Sequence, residues 1–152
     1  MQPELNSAVV YAGTFERSLD AKNRVTIPAR WLSGQEEEFQ VIPNPSPDEP
    51  FLIVMPPAEF AQMENRILAL DAPAAEKRKF IRHFYGAARV VSTDKQGRLL
   101  LPEDHCRKLK LQGEVVLVGS KSRFEIWNRE LWNKASAEEL PIYQKMANLI
   151  GL

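Results

Sequence analysis

The segment Asp20-Ala-Lys-Asn-Arg24 returns as Asp94-Lys-Gln-Gly-Arg98, and in both places a proline, Pro28 or Pro102, stands four residues past the arginine. The offset of 74 is about half of the 152-residue chain. A chain that repeats at half its length reads as two copies of one small unit, each too short to close a core alone, so the copies must pack on one another. Val25 and Ile27 fall on Leu99 and Leu101, alternating as one face of a short strand does. Past the prolines, EFQVI at 38–42 resembles EVVLV at 114–118, and FLIVM at 51–55 resembles FEIWN at 124–128, with a slip in register. Each copy therefore reads as strand, turn, strand, short helix and hairpin.

The pentapeptides read as hairpin turns. Asp20 and Asp94 can accept from backbone amides two residues on, while Asn23 and Gly97 tolerate the left-handed conformation. Pro28 and Pro102 preset φ where short helices can begin, over 29–32 and 103–109. Two longer helical patterns lie between the copies. Phe60, Met63, Ile67 and Leu70 form one apolar stripe, and Phe80, Ile81, Phe84, Tyr85 and Ala88 form another. The second pattern carries Lys77, Arg78, Lys79 and Arg82 on its other face against Glu76. PNPSPDEP at 43–50 reads as an exposed, mobile loop, and Ile142, Tyr143, Met146, Leu149 and Ile150 read as a helix after Pro141. The expected organisation is a first subdomain at 13–60, a helical connector at 61–88, a second subdomain at 89–133 and a helical tail at 134–152.

Lys and Arg number 20, as do Asp and Glu, so the formal net charge is zero and any polyanion binding must come from local patches. Cys106 is the one cysteine, and with His83 and His105 as the two histidines no Cys/His zinc spacing can be assembled; no metal and no cofactor are expected. The opening MQPELNSAVVYAG lacks a basic start followed by an apolar core, and no run approaches the roughly 18 apolar residues of a membrane span, so a soluble cytoplasmic protein is expected. Neither a Gly-x-Ser-x-Gly elbow nor a phosphate-cradling Gly-rich motif is present. The chain is read as no enzyme and as having no small-molecule substrate; a hydrolase using His83 or His105 is a remote alternative.

The candidate contact residues gather at the turns. Arg17, Lys22, Asn23, Arg24 and Arg30 surround the first, opposed by Glu16 and Asp20, while Lys95, Gln96 and Arg98 mark a less basic second turn. Each arginine admits two roles. It can pair with its aspartate and brace the turn, or it can meet phosphates and base edges in a major groove, which admits a two-stranded β-ribbon. The basic helix face reads most simply as solvated, with nucleic-acid contact and an intersubunit role facing acidic loops as the alternatives, and Phe39, Phe51, Phe60, Phe124, Trp127 and Trp132 read as core or interface.

With these segments placed, the chain resembles the MraZ family, bacterial proteins built from two AbrB-like swapped-hairpin units. The resemblance runs over about 13–139: GTFERSLDAKNRVTIPAR is similar to the first repeat, EKRKFIRHFYGAARVVSTDKQGRLLLP to the link into the second, and GSKSRFEIWNRELW to the closing segment. Asn23 stands where the family typically carries glycine, the chain extends further before Gly13, and the loop at 43–50 is unusual in composition.

The resemblance implies an α+β fold of two fused pseudo-symmetric subdomains with connecting helices. It also implies a nucleoid-associated, DNA-binding transcriptional regulator of the division and cell wall gene cluster. Such a regulator binds short promoter direct repeats in double-stranded DNA as a ring-shaped homo-oligomer. Carried over by position, Arg24 is the leading DNA contact, Lys22 its phosphate-binding neighbour and Asn23 part of the presenting turn. Arg98 and Lys95 occupy the matching second motif, and Arg17 and Arg30 are added from charge and proximity. The competing expectation is an oligomeric protein-interaction scaffold in which the Asp/Arg turns are structural.

Overall fold

In the computed structural model, which describes residues 9–152, the two copies interleave their strands. Most of the opening segment read above for targeting lies outside the described residues. In chain order, β1 (Thr14–Ser18) and β2 (Arg24–Thr26) lead into a 3-10 turn (Ala29–Trp31), then β3 (Glu38–Pro43) and β4 (Phe51–Met55). Helices α1 (Pro57–Ala69) and α2 (Ala74–Ala87) connect to β5 (Arg89–Ser92), β6 (Arg98–Leu100) and α3 (Glu103–Leu109). Strands β7 (Glu114–Gly119) and β8 (Phe124–Asn128) pass into α4 (Arg129–Leu149). The fold is α+β, with an antiparallel six-stranded sheet in the order β1-β7-β8-β4-β3-β5 and a two-stranded ribbon of β2 and β6.

The duplication is visible in the register. Ser18 opposes Glu114, and their counterparts Ser92 and Glu38 oppose each other in turn. In the ribbon Val25 faces its own counterpart, Leu99. At the sheet centre Leu52 faces Ile126 and Ile53 faces Glu125, so an approximate two-fold axis runs through both layers. The slip in the sequence alignment has a local cause. The second copy has a longer run between Pro102 and Glu114, holding α3, than the first has between Pro28 and Glu38; its β7–β8 loop is shorter than the β3–β4 loop.

Strand alternation divides the apolar residues between two cores. One face of the sheet presents Phe39, Val41, Leu52, Val54, Phe124 and Ile126 to the ribbon and α3, where Val25, Ile27, Leu99, Leu101 and Leu109 complete a buried cluster. The other face presents Ile42, Phe51, Ile53 and Trp127 to the helices, and Phe84 with the partly covered Phe60, Leu131 and Trp132 closes that side.

Two expectations are corrected. The pentapeptides do reverse the chain, but their flanking strands do not zip into hairpins, because β1 pairs with β7 and β2 pairs with β6. Three-residue strands gain more by crossing between copies, since this crossing brings Val25 and Leu99 together with no exposure at all. The C-terminal helix also starts at Arg129 rather than after Pro141. Asn128 caps it, accepting the Leu131 amide at 3.1 Å, and Pro141 sits inside the helix. The loop at 43–50 is exposed through 45–49, with the Asn44 amide donating to the Phe51 carbonyl at 2.9 Å at its base.

Candidate functional site

The two turns are built alike. Asp20 Oδ1 accepts from the amides of Lys22 and Arg24, both at 2.9 Å, and Oδ2 accepts from Arg24 Nε at 2.7 Å. Asp94 repeats the set with the amides of Gln96 at 3.0 Å and Arg98 at 2.9 Å, and with Arg98 Nε at 2.8 Å. The left-handed positions are filled as the turn chemistry requires, Asn23 at φ 62° and Gly97 at φ 76°. These donors, led by the Arg24 and Arg98 backbone amides, hold both aspartate carboxyls below their ordinary value of 3.8.

Each turn is also locked onto the other copy. The Asn23 carbonyl accepts the Leu101 amide and the Gly97 carbonyl accepts the Ile27 amide, both at 2.9 Å. Arg24 lies opposite Leu100 and Thr26 opposite Arg98. With Val25 and Leu99 turned into the core, those four residues form the outer face of the ribbon, and the two turns stand at its opposite ends.

The bracing role is therefore real, and it is carried by Nε. Among the described residues, the two terminal nitrogens of Arg24 take no hydrogen-bond partner, whereas Arg98 gives one to Gln96 Oε1 at 3.3 Å. The Arg24 side chain is 28% exposed and that of Arg98 32%. An arginine held by one edge presents its other edge at a fixed angle, which suits a planar, two-donor contact to an anion or a base.

Lys22 and Asn23 share the Arg24 end of the ribbon, and Lys95 is exposed at the other tip. Arg17 and Arg30 gather elsewhere than the sequence suggested. Both guanidinium groups lie over the Phe15 ring, at 5.4 and 5.2 Å, and Arg17 Nε donates to the Thr26 carbonyl at 3.1 Å. Thr26 is the cross-strand neighbour of Arg98, so this charge lies at the second end of the ribbon rather than at the Arg24 end. The residues that occupy the places of Phe15 and Arg30 in the second copy are Arg89 and Asp104, which form an ion pair at 3.0 Å instead. Sequence reading missed the Phe15 platform and the outward Thr26 and Leu100, although alternation from buried Val25 and Leu99 would have located the latter two.

The basic helix does not join this surface. Helix α2 packs on the sheet face opposite the ribbon, with Arg78, Lys79 and Arg82 exposed and Lys77 donating to the Leu68 carbonyl at 2.9 Å. His105 is buried beside Ala87, 3.0 Å from its carbonyl, and burial lowers its pKa; the buried Cys106 thiol is pushed up to about 11, again by burial. A thiol so raised is a poor nucleophile at neutral pH. Among the described residues no group of His, Cys, Asp and Glu side chains could hold a metal ion, and no helix is long and apolar enough to cross a membrane.

Comparison with known proteins places these features. Residues 84–152 match a family described as "MraZ protein, putative antitoxin-like". The transcriptional regulator MraZ of Desulforamulus reducens is 33% identical over 144 residues, covering 94% of this chain and 99% of the relative. That of Carboxydothermus hydrogenoformans is 37% identical over 138 residues, covering 91% of this chain and 94% of the relative. The regulator of Symbiobacterium thermophilum is 34% identical over 139 residues, covering 91% and 99%. Likeness at this level over nearly the whole length, in a chain whose two halves carry the same braced turn, establishes that the chain belongs to the MraZ family.

Proposed function

We propose that this chain is a sequence-specific DNA-binding transcriptional regulator and that the outer face of the β2–β6 ribbon is its DNA-contacting surface. The observation that carries this reading is the Arg24 guanidinium, tied to Asp20 through Nε at the tip of an outward ribbon, its two terminal nitrogens without a hydrogen-bond partner among the described residues. The names of its relatives as transcriptional regulators support the same class of function, which is not an enzyme class. Arg24 reads a base edge or clamps a phosphate, Lys22 binds the adjoining phosphate, and Asn23 shapes the turn that presents them. Arg98 and Lys95 serve the other end, backed by Arg17 and Arg30 on Phe15.

The finer assignments are part of the same proposal. The units at 13–60 and 89–133 are swapped-hairpin subdomains, joined by the connector at 61–88 and followed by the tail at 134–152. The protein acts in the cytoplasm at the nucleoid, on short direct repeats in the promoter of the division and cell wall gene cluster, as a ring-shaped homo-oligomer. A ring reconciles zero net charge with DNA affinity, since each copy adds a weak tip contact and spaced repeats convert these into intramolecular binding.

Fluorescence anisotropy with the DNA upstream of the protein's own gene, against a shuffled duplex, tests this. Wild type is expected to prefer the native duplex and Arg24→Ala to lose that preference with its oligomer intact. Equal binding of both duplexes by wild type, or an Arg24→Ala protein that falls to monomers, would leave the arginine as a brace within an interaction scaffold.

A further inference from the structure

The ribbon has a two-fold arrangement that its outer face does not keep. Val25 pairs with its counterpart Leu99 at the centre, and Arg24 and Arg98 stand at equivalent places on either side. The remaining outward positions are Thr26, beside Arg98, and its counterpart Leu100, beside Arg24. Each end of the face thus offers one arginine and one uncharged side chain, a hydroxyl-bearing one at the Arg98 end and a purely apolar one at the Arg24 end.

Leu100 is 53% exposed. Isolated surface leucines are common, and it is the position of this one that carries information. It lies directly across the ribbon from Arg24 and lines one recess with Lys22 and Asn23, the other residues of the same tip. Its strand is pinned there, because the Leu101 amide donates to the Asn23 carbonyl at 2.9 Å and Leu99 is fully buried. A leucine held beside the Arg24 guanidinium in this way meets the base that neighbours the one Arg24 meets.

The chemistry of base edges in the major groove selects that neighbour. Thymine presents its 5-methyl group, whereas cytosine and adenine present amino groups and guanine presents two acceptors. A leucine side chain on the methyl buries apolar surface on both partners. On any of the other edges it strips water from a polar group and offers no hydrogen bond in return. The hydroxyl of Thr26 can donate or accept, so the threonine end tolerates what the leucine end rejects.

We propose that Leu100 is a specificity-determining residue that reads a thymine 5-methyl group beside the Arg24 contact, and that its difference from Thr26 gives the ribbon a direction on DNA. Two arginines related by a two-fold axis fit a duplex in either direction, since its antiparallel strands share that symmetry. Direct repeats require one direction at every tip, and Leu100 supplies it. This inference rests on the DNA reading proposed above and adds the base that one end of the ribbon selects.

Anisotropy titrations with the native upstream duplex test it, each thymine replaced in turn by deoxyuridine, which removes the methyl group and keeps pairing and charge. Wild type is expected to bind about fourfold more weakly, per tip engaged, when one particular thymine of the repeat is replaced, the ratio that one buried methyl group gives. Leu100→Ala, with its fold checked by circular dichroism and its assembly by native mass spectrometry, is expected to bind the thymine and deoxyuridine duplexes alike. Its salt slope should equal that of wild type, because no phosphate contact is lost, and this separates it from Arg24→Ala. A deoxyuridine scan that leaves wild type unmoved, while the native duplex is still preferred over a shuffled one, would overturn the role of Leu100 and leave the ribbon reading in place. A thymine preference that survives in Leu100→Ala would overturn it too, as would a Leu100→Ala chain that assembles unlike wild type. Equal binding of native and shuffled duplexes by wild type would remove the ribbon reading and this inference together.

Discussion

With two oxygens Asp20 accepts three hydrogen bonds, and Asp94 repeats the set. Their folded carboxyl values lie below the ordinary 3.8, so their contribution to stability is complete above that value and is lost as pH falls through the lower folded one. Carboxyl carbon shifts followed by NMR should therefore titrate below 3.8 at both sites. Arg24→Ala should move Asp20 only part of the way back, because the largest cause is the Arg24 backbone amide, which the substitution keeps. Asp94 should not move. At Asn23, with φ at 62°, alanine is expected to cost about 1 kcal/mol and glycine to fall within about 0.5 kcal/mol of wild type by urea denaturation. These residue roles were legible in the sequence because an Asx turn is local: Asp, a left-handed position and the following amides lie within five residues. The Phe15 platform was not legible, since nothing local says that Arg17 and Arg30 share one ring.

Among elements, the connections that matter are short and covered. The loop at 120–123 is tied to α1 by Glu59, which accepts from Arg123 Nη2 at 2.7 Å, from Arg66 Nη2 at 3.2 Å and from Ser122 Oγ at 3.2 Å. Burial works to raise the Glu59 carboxyl, and the two arginines outweigh it and hold it low. Glu59→Ala is expected to cost about 2 kcal/mol in denaturant titrations, less than a fully buried pair because Arg66 is half exposed. Gly119 makes the second tie. A β-carbon there would collide with the Tyr11 carbonyl, so Gly119→Ala should open the Tyr11–Lys121 bridge and cost about 2 kcal/mol, with a lowered Tm. The helices and strands themselves were legible from periodicity, including the stripes of α1 and α2. Strand partners were not, because Val25 and Leu99 have the same alternation whether their strands form hairpins or cross between copies. The α4 start was also missed, since FEIWN passes into RELW with only Asn128 as the cap.

At the scale of the whole molecule, one approximate two-fold axis organises three layers: the ribbon and α3, the six-stranded sheet, and α1, α2 and α4. It sets the charged ends of the ribbon on the outer layer and places α1, α2 and α4 across the sheet from them. The symmetry is broken where function is proposed. Phe15 with two arginines stands at one end, and the Arg89–Asp104 pair takes the equivalent place in the second copy. The central claim is that the ribbon's outer face meets DNA, and the salt dependence of binding to the native upstream duplex tests it most directly. For wild type, log K should fall steeply and linearly with log salt, and each phosphate that the assembly no longer neutralises should flatten the slope by about 0.9. Arg24→Ala and Lys22→Ala are predicted to flatten the slope in proportion to the number of tips engaged, and Arg78→Ala on α2 to leave it unchanged. A slope that follows Arg78 and ignores Arg24 and Lys22 would contradict the account and move the DNA to the other side of the sheet.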